Sequence, residues 1–313
     1  MSESKTADLT SVAMTPRRNS RMGDTLAYWM PKLVLSPTLI IVLVFFYGFI
    51  LWTGYLSFTN SRMLPSYDFV GWANYVRLFN NERWFVSLRN LAVYSVLFIA
   101  ICLAIGLSLA ILLDQKIRAE GALRTIYLYP MALSFIVTGT VWKWMLNPQV
   151  GIEQFVRSLG WETFRFDWLV DPNFSIYTIV VAAVWQSSGF VMALFLAGLR
   201  GVDDSIIKAA QIDGASRFMI YTRIIIPSLR PVFFSAFVML AHIAIKSFDL
   251  ALALTGGGPG VSSDLPAIFM YQMSFTRNQM GLGAASAMIM LLTVVAILVP
   301  YLYSELRTKK HEH

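Results

Sequence analysis

Long apolar runs separated by short polar stretches organise this chain. Leu33–Trp52, Leu91–Leu113 and Ile176–Leu199 contain no Asp, Glu, Lys or Arg, and Leu282–Tyr303 is a fourth such run. Two more are interrupted: Ile126–Leu146 by Lys143, and Val232–Thr255 by Lys246 and Asp249. A helix needs about 20 predominantly apolar residues to cross the hydrocarbon core of a bilayer. The pattern therefore predicts an all-α membrane protein with six transmembrane helices and both termini on one side.

Composition agrees. Of 313 residues, 57% are hydrophobic and only 14% charged, with a mean hydropathy of +0.60, whereas soluble domains carry about 25% charge. The single cysteine, Cys102, lies in an apolar run and excludes an intramolecular disulfide or a cysteine-based metal site. The net charge of +7 is read as positive loops, so no nucleic-acid partner is expected.

Lys and Arg are unevenly shared between the two sets of loops. Residues 1–32, 114–125, 199–231 and the C-terminus hold sixteen, and the alternate loops hold seven: Arg62, Arg77, Arg83, Arg89, Arg157, Arg165 and Arg277. Basic residues collect on the cytoplasmic side, which predicts cytoplasmic termini and a cytoplasmic 199–231 loop. The N-terminus has too long a polar lead and too long an apolar run for a cleavable signal. Residues 1–30 read as a disordered cytoplasmic tail, 31–306 as the transmembrane domain and 307–313 as a second cytoplasmic tail. Phe69–Phe79, rich in aromatics, is expected to form a short helix at the membrane interface.

The most distinctive polar loop is 203–227. Asp203, Asp204 and Ser205 offer helix caps ahead of Ile206. Gly214 permits a turn of positive φ. A second helix is expected over about 215–226, with Pro227 and Pro231 marking re-entry into the next span. The spacing of Ala209, Ala210, Gly214, Ile224 and Pro227 resembles the EAA loop of ABC importer permeases. Lys208 stands where that pattern has Glu, and Ile226 where it has Leu. Phe69-Val-Gly-Trp-Ala-Asn-Tyr-Val-Arg-Leu-Phe79, Trp142–Pro148 with Gly151 and Leu159-Gly160, and Phe248-Asp249 followed by Thr255-Gly-Gly-Gly-Pro259 resemble segments of MalF/UgpA-type carbohydrate permeases.

The resemblance covers the chain from about residue 30. It implies a MetI-like type I ABC importer permease fold in the bacterial inner membrane, and a chain that is not itself an enzyme. The implied partners are a second, MalG-like permease, two copies of an ABC ATPase subunit, a periplasmic sugar-binding protein and membrane lipid. No cofactor is implied for this chain; ATP and Mg belong to the ATPase. Lys208, Ala209, Ala210, Asp213, Gly214, Ala215 and Pro227 would dock that subunit. The chain carries no G-x-x-x-x-G-K-[ST] phosphate loop of its own, and Gly256-Gly257-Gly258 lacks the Lys and Ser/Thr such a loop needs.

A pore for a polar solute needs polar side chains inside an apolar bundle. The candidates are Trp185, Gln186, Ser187 and Phe190 on the fourth span and His242, Lys246 and Asp249 on the fifth. Gly189, Ala193, Ala197 and Gly201 form a small-residue stripe suited to close packing. Lys246 and Asp249, three residues apart, are expected on one helix face, where they either pair or line the pathway. A secondary transporter using Lys246 and Asp249 as an ion relay is the rival reading. It would be built from inverted repeats, which the sequence does not display.

Overall fold

A computed structural model describes residues 21–64, 66–115 and 117–309, with side chains for all of these except 21–28, 33 and 300–309. It falls into two units, 1–52 and 53–313. The described part of the first is helical: α1 (Arg21–Ile41), a π-helical segment Val42–Tyr47, and the start of α2 (Gly48–Ser57). The helix already begins at Arg21, inside the segment expected to be an unstructured tail. Residues 1–20 of that tail, and 310–313 of the second, lie outside the described residues. Helix also continues to Lys309, past the expected boundary at 306.

The second unit continues with α3 (Ala73–Phe79), α4 (Glu82–Leu113), α5 (Glu120–Leu128), a 3₁₀ segment Tyr129–Ala132, α6 (Phe135–Met145) and α7 (Ile152–Ser158). Then come α8 (Ser175–Leu199), α9 (Asp204–Ile212), α10 (Arg217–Ile220), a π segment Tyr221–Ile225, α11 (Ile226–Ser228) and α12 (Arg230–Ile245). The last elements are α13 (Asp249–Leu254), α14 (Pro266–Tyr271), a π segment Gln272–Thr276 and α15 (Met280–Lys309).

Four helices are long and apolar enough to span a bilayer: Trp29–Ser57, Glu82–Leu113, Ser175–Leu199 and Met280–Val299. The other two expected spans are bent. Glu120–Ala132 and Phe135–Met145 meet at 98°, and Arg217–Ser228 and Arg230–Ile245 at 61°. The described residues therefore carry six crossings if each bent pair is one span.

The core of the second unit is the packing of α4 on α8. Phe98, Cys102, Ala110, Met192 and Phe195 are fully buried there, and Tyr94 stacks on Phe98 at 5.5 Å. Apolar burial gains little when the alternative solvent is lipid, so close van der Waals fit must hold such helices together. Glycines provide it. A Cβ on Gly106 would lie 2.6 Å from Val191, and one on Gly189 would overlap the Tyr127 carbonyl. Of the expected stripe, Gly189 thus carries the tight contact, while Gly201 lies beyond the end of α8.

The break in the third crossing leaves backbone groups without helical partners. Gln186, 2% exposed, donates from Nε2 to the Leu133 carbonyl at 2.8 Å. That bond satisfies a polar group that hydrocarbon could not.

Helix α4, with 32 residues, is about 48 Å long and defines two ends. At its start Arg83 Nε meets Asp264 Oδ2 at 2.6 Å, and Arg83 Nη2 donates to Gln272 Oε1 at 2.6 Å. Beyond its last turn, Arg200 Nη2 meets Glu120 Oε1 at 2.5 Å, with Asp114 at 3.9 Å.

Candidate functional site

The two-helix loop lies at the Asp114 and Arg200 end. Asp203 caps α9 by accepting the Ser205 N–H at 2.8 Å, and this bond holds its carboxyl below the usual carboxylate range. Helix α9 closes with a Schellman turn: the Ala215 N–H donates to the Ala210 carbonyl at 3.0 Å, and the Gly214 N–H to the Gln211 carbonyl at 3.1 Å. The motif puts one residue in the left-handed region, and Gly214 occupies it at φ +79°. Ser216 then caps α10, accepting the Met219 N–H at 3.3 Å. The helix runs through the π segment and α11 to Ser228.

The loop has two faces. Ile207, Ala210 and Ala215 pack on the unit's own core. Lys208, Ala209, Asp213 and Gly214 are exposed, and Pro227 is half-buried. Beside them stand Ile212 at 86% exposure, Phe218 at 79% and Ile206. The sequence pattern puts Ile206, Ile207, Ala210 and Ile212 on one apolar side of the helix; the structure turns Ile207 and Ala210 inward and leaves Ile206 and Ile212 outside, and Phe218 was not singled out. The readable signal was that large apolar residues fall on the otherwise polar face. Large apolar side chains exposed on a rigid, capped turn suit a protein partner.

The second feature is a cleft of about 190 Å³ between α4, α8, and the junction of α12 with α13. Helix α12 stops at Ile245, Lys246 is its C-cap, and α13 starts at Asp249. The single helix face expected for Lys246 and Asp249 therefore does not exist. They flank a break instead, both exposed to the cleft and without an ion pair among the described residues. Ser187, His242, Lys246 and Asp249 line it together with Tyr94, Phe135, Ser247 and Phe248.

Trp185, Gln186 and Phe190 are not in its lining. Trp185 meets Trp142 edge-on at 5.9 Å, Gln186 supports the broken crossing, and Phe190 packs on the core. The lining offers hydroxyls, an imidazole, one ammonium, one carboxylate and two phenyl rings, a set that can hydrogen-bond and stack on a polyhydroxylated solute. No group of three metal-ligating side chains occurs among the described residues.

The glycine-rich Thr255–Pro259 segment is a structural clasp at the Arg83 end. Gly256 and Gly257 have φ of +63° and +91°, and a Cβ on Gly257 would press on Asp264 Oδ1 at 3.1 Å. Ser263 Oγ bonds the Thr255 hydroxyl at 2.8 Å and the Gly258 carbonyl at 2.7 Å. Asn90 Nδ2 reaches the Ser262 and Asp264 carbonyls. Burial pushes the Asp264 carboxyl up, and Arg83 opposes that shift.

Residues 100–308 match the family described as binding-protein-dependent transport system inner membrane component. The chain is 42% identical over 273 residues to a probable ABC transporter permease protein of Pyrococcus horikoshii, covering 87% of this chain and 94% of the relative. It is 37% identical over 258 residues to the xylose/arabinose import permease protein XacH of Haloferax volcanii, covering 80% and 81%. Among solved structures, a bacterial ABC transporter involved in import of the acidic polysaccharide alginate shares the fold. Its TM-score is 0.77 at 21% identity, covering 93% of this chain and 99% of that one. The MetI-like permease architecture expected from the sequence is thereby found, and the chain belongs to the family of binding-protein-dependent transport system inner membrane components.

Proposed function

We propose that this chain is the permease subunit of a carbohydrate ABC importer, working by alternating access between a binding protein on one side and an ATPase on the other. The observation that carries the reading is the capped, exposed two-helix loop, set about one long helix away from the Arg83 end. A motor protein docked on Ile206, Ala209, Ile212, Gly214 and Phe218 would move the loop as a rigid body. Helices α8 and α12 flank it and both reach the polar cleft, so their tilt would open the cleft to one side or the other. ATP binding by the partner then biases two global states by its differential affinity for them.

The charge count supports cytoplasmic termini and a cytoplasmic loop, hence a motor in the cytoplasm of a bacterial cell and delivery from the periplasmic side. A second permease completes the pore, two ATPase copies supply hydrolysis, and ATP with Mg stays in those copies. Support for a sugar cargo comes from relatives named for xylose and arabinose import and for trehalose and maltose transport. The hydroxyl, cation and phenyl lining of the cleft fits such a cargo.

The test is uptake of labelled pentoses, hexoses and disaccharides into proteoliposomes holding the assembled importer and its binding protein. Uptake should require ATP inside and the binding protein outside. Uptake driven by an ion gradient with no ATPase subunit present would replace this reading with the ion-relay transporter.

A further inference from the structure

Three arginines from distant parts of the sequence converge at the end of the second unit where Arg83 lies. Arg62 follows α2, Arg77 is on α3, and Arg277 precedes α15. With Asn278, Gln279, Asn74 and Thr59–Ser61 they line a polar pocket of about 220 Å³ that holds no carboxylate among the described residues. All three guanidinium groups belong to exposed residues, and none forms an ion pair among the described residues. Arg277 does lie within electrostatic reach of Asp264, but that carboxylate is buried and held by Arg83.

The fold is built to bring these groups together. Asn74 Nδ2 donates to the Ser57 and Thr59 carbonyls at 2.9 and 2.8 Å. The Gly281 N–H donates to the Ser61 carbonyl at 2.9 Å, and a Cβ on Gly281 would overlap the Thr59 carbonyl. Asn278, at φ 57°, accepts the Met63 N–H. Converging like charges repel, so a rigid frame that gathers three cations fits an anion.

The surroundings say which kind. Helix α3 packs against α15, whose apolar span starts at Met280, beside the pocket. Asn74 and Leu78 point inward, whereas Trp72, Val76 and Phe79, at i, i+4 and i+7, leave the opposite face 68%, 59% and 48% exposed. Aromatic side chains beside the start of a span mark the membrane interface, and guanidinium groups pair in bidentate fashion with phosphate oxygens such as those of a lipid headgroup. We propose that Arg62, Arg77 and Arg277 bind the phosphate of an anionic phospholipid whose acyl chains lie along the exposed face of α3.

The assembled importer, purified in mild detergent, is titrated with phosphatidylglycerol or phosphatidylcholine and read by native mass spectrometry. Wild type should retain phosphatidylglycerol selectively, and Arg77→Gln/Arg277→Gln should bind it about thirtyfold more weakly with subunit composition unchanged. Arg77→Lys/Arg277→Lys, keeping charge, should recover part of the retention. Equal retention by wild type and the Gln variant overturns the site. So does binding of inorganic phosphate alone with phosphatidylglycerol excluded, which would make the ligand a free anion. Unchanged lipid retention with loss of binding-protein-stimulated ATP hydrolysis in phosphatidylcholine discs also overturns it, by assigning the arginines to a protein carboxylate.

Discussion

Replacing Gly214 by alanine changes one torsional preference and little else within the chain, because no atom lies within 4 Å of the Cβ it would add. The cost is that of holding an L-residue near φ +79°, about 1–2 kcal/mol. Helix α9 has nine residues, too few to persist without its end contacts, so the loss falls on the fraction of loops with the Schellman turn closed. At about 1.4 kcal/mol per factor of ten, alanine should lower the closed-to-open ratio about tenfold. Asparagine tolerates the left-handed region and should lower it much less. Aspartate should do worst, adding a bulky charge to the exposed face. The assay is recovery of the ATPase subunit with the tagged permease, alongside ATP-dependent uptake in proteoliposomes. Both should fall in the order Gly, Asn, Ala, Asp, with equal amounts of chain inserted in the membrane. If alanine matched wild type, or asparagine were as damaging as alanine, the torsion would not be what the docking turn depends on.

Other outcomes follow from the clasp, the α8 contact and the cleft. Arg83→Ala leaves the Asp264 carboxylate buried without its partner and should destabilise the assembly by about 3–5 kcal/mol, read as a lowered thermal midpoint in detergent. Asp264→Asn should cost less. Burial raises the Asp264 carboxyl, so the folded chain holds that proton more tightly than the unfolded one. Stability should therefore decline as pH climbs from the ordinary carboxylate pKa through the raised one, and Asp264→Asn should flatten that slope. A flat wild-type profile would count against a buried, raised carboxyl. Gly189→Leu must push α8 off the Tyr127 backbone and should abolish stable expression, measured by size-exclusion recovery; a well-behaved variant would disprove the close contact. Lys246→Ala and Asp249→Asn should each reduce uptake at limiting substrate while leaving ATPase recovery unchanged. Normal uptake in both would take the cleft off the pathway.

Much of the architecture can be read from apolar run lengths, because a bilayer imposes one length on every crossing. The two-helix loop was legible for a different reason: its caps, its glycine and its prolines act locally, within a few residues. What escaped depends on distant contacts. The 98° bend was not legible in hydropathy, since the run Ile126–Leu146 is apolar straight through the break at 133–134. Gln186 read as a polar lining residue, and its acceptor, Leu133, is 53 residues away. Lys246 signalled an interrupted helix, yet three-residue spacing suggested a shared face that the break at 246–248 removes. Ala210 and Ala215 entered as contact residues through the resemblance of the loop, and their packing against the core follows from the direction in which α9 is laid down.

The bent third crossing has a consequence for how the chain enters a membrane. Its two arms have 13 and 11 residues, about 20 and 16 Å, against a hydrocarbon core of about 30 Å. Neither arm can reside there alone. The contacts that shelter it come later in synthesis: Gln186 on α8, and α13, where Leu250 O and Ala253 Cβ would lie 2.9 and 2.8 Å from a Cβ on Gly139. A nascent chain ending before Ser175, though anchored by Trp29–Ser57 and Glu82–Leu113, should therefore leave this segment open to a water-soluble thiol probe on an introduced cysteine, and protect it only once α8 and α13 have been translated. Biogenesis of this protein is then a retention problem, in which an early segment waits at the insertion machinery for the helices that will make it a crossing.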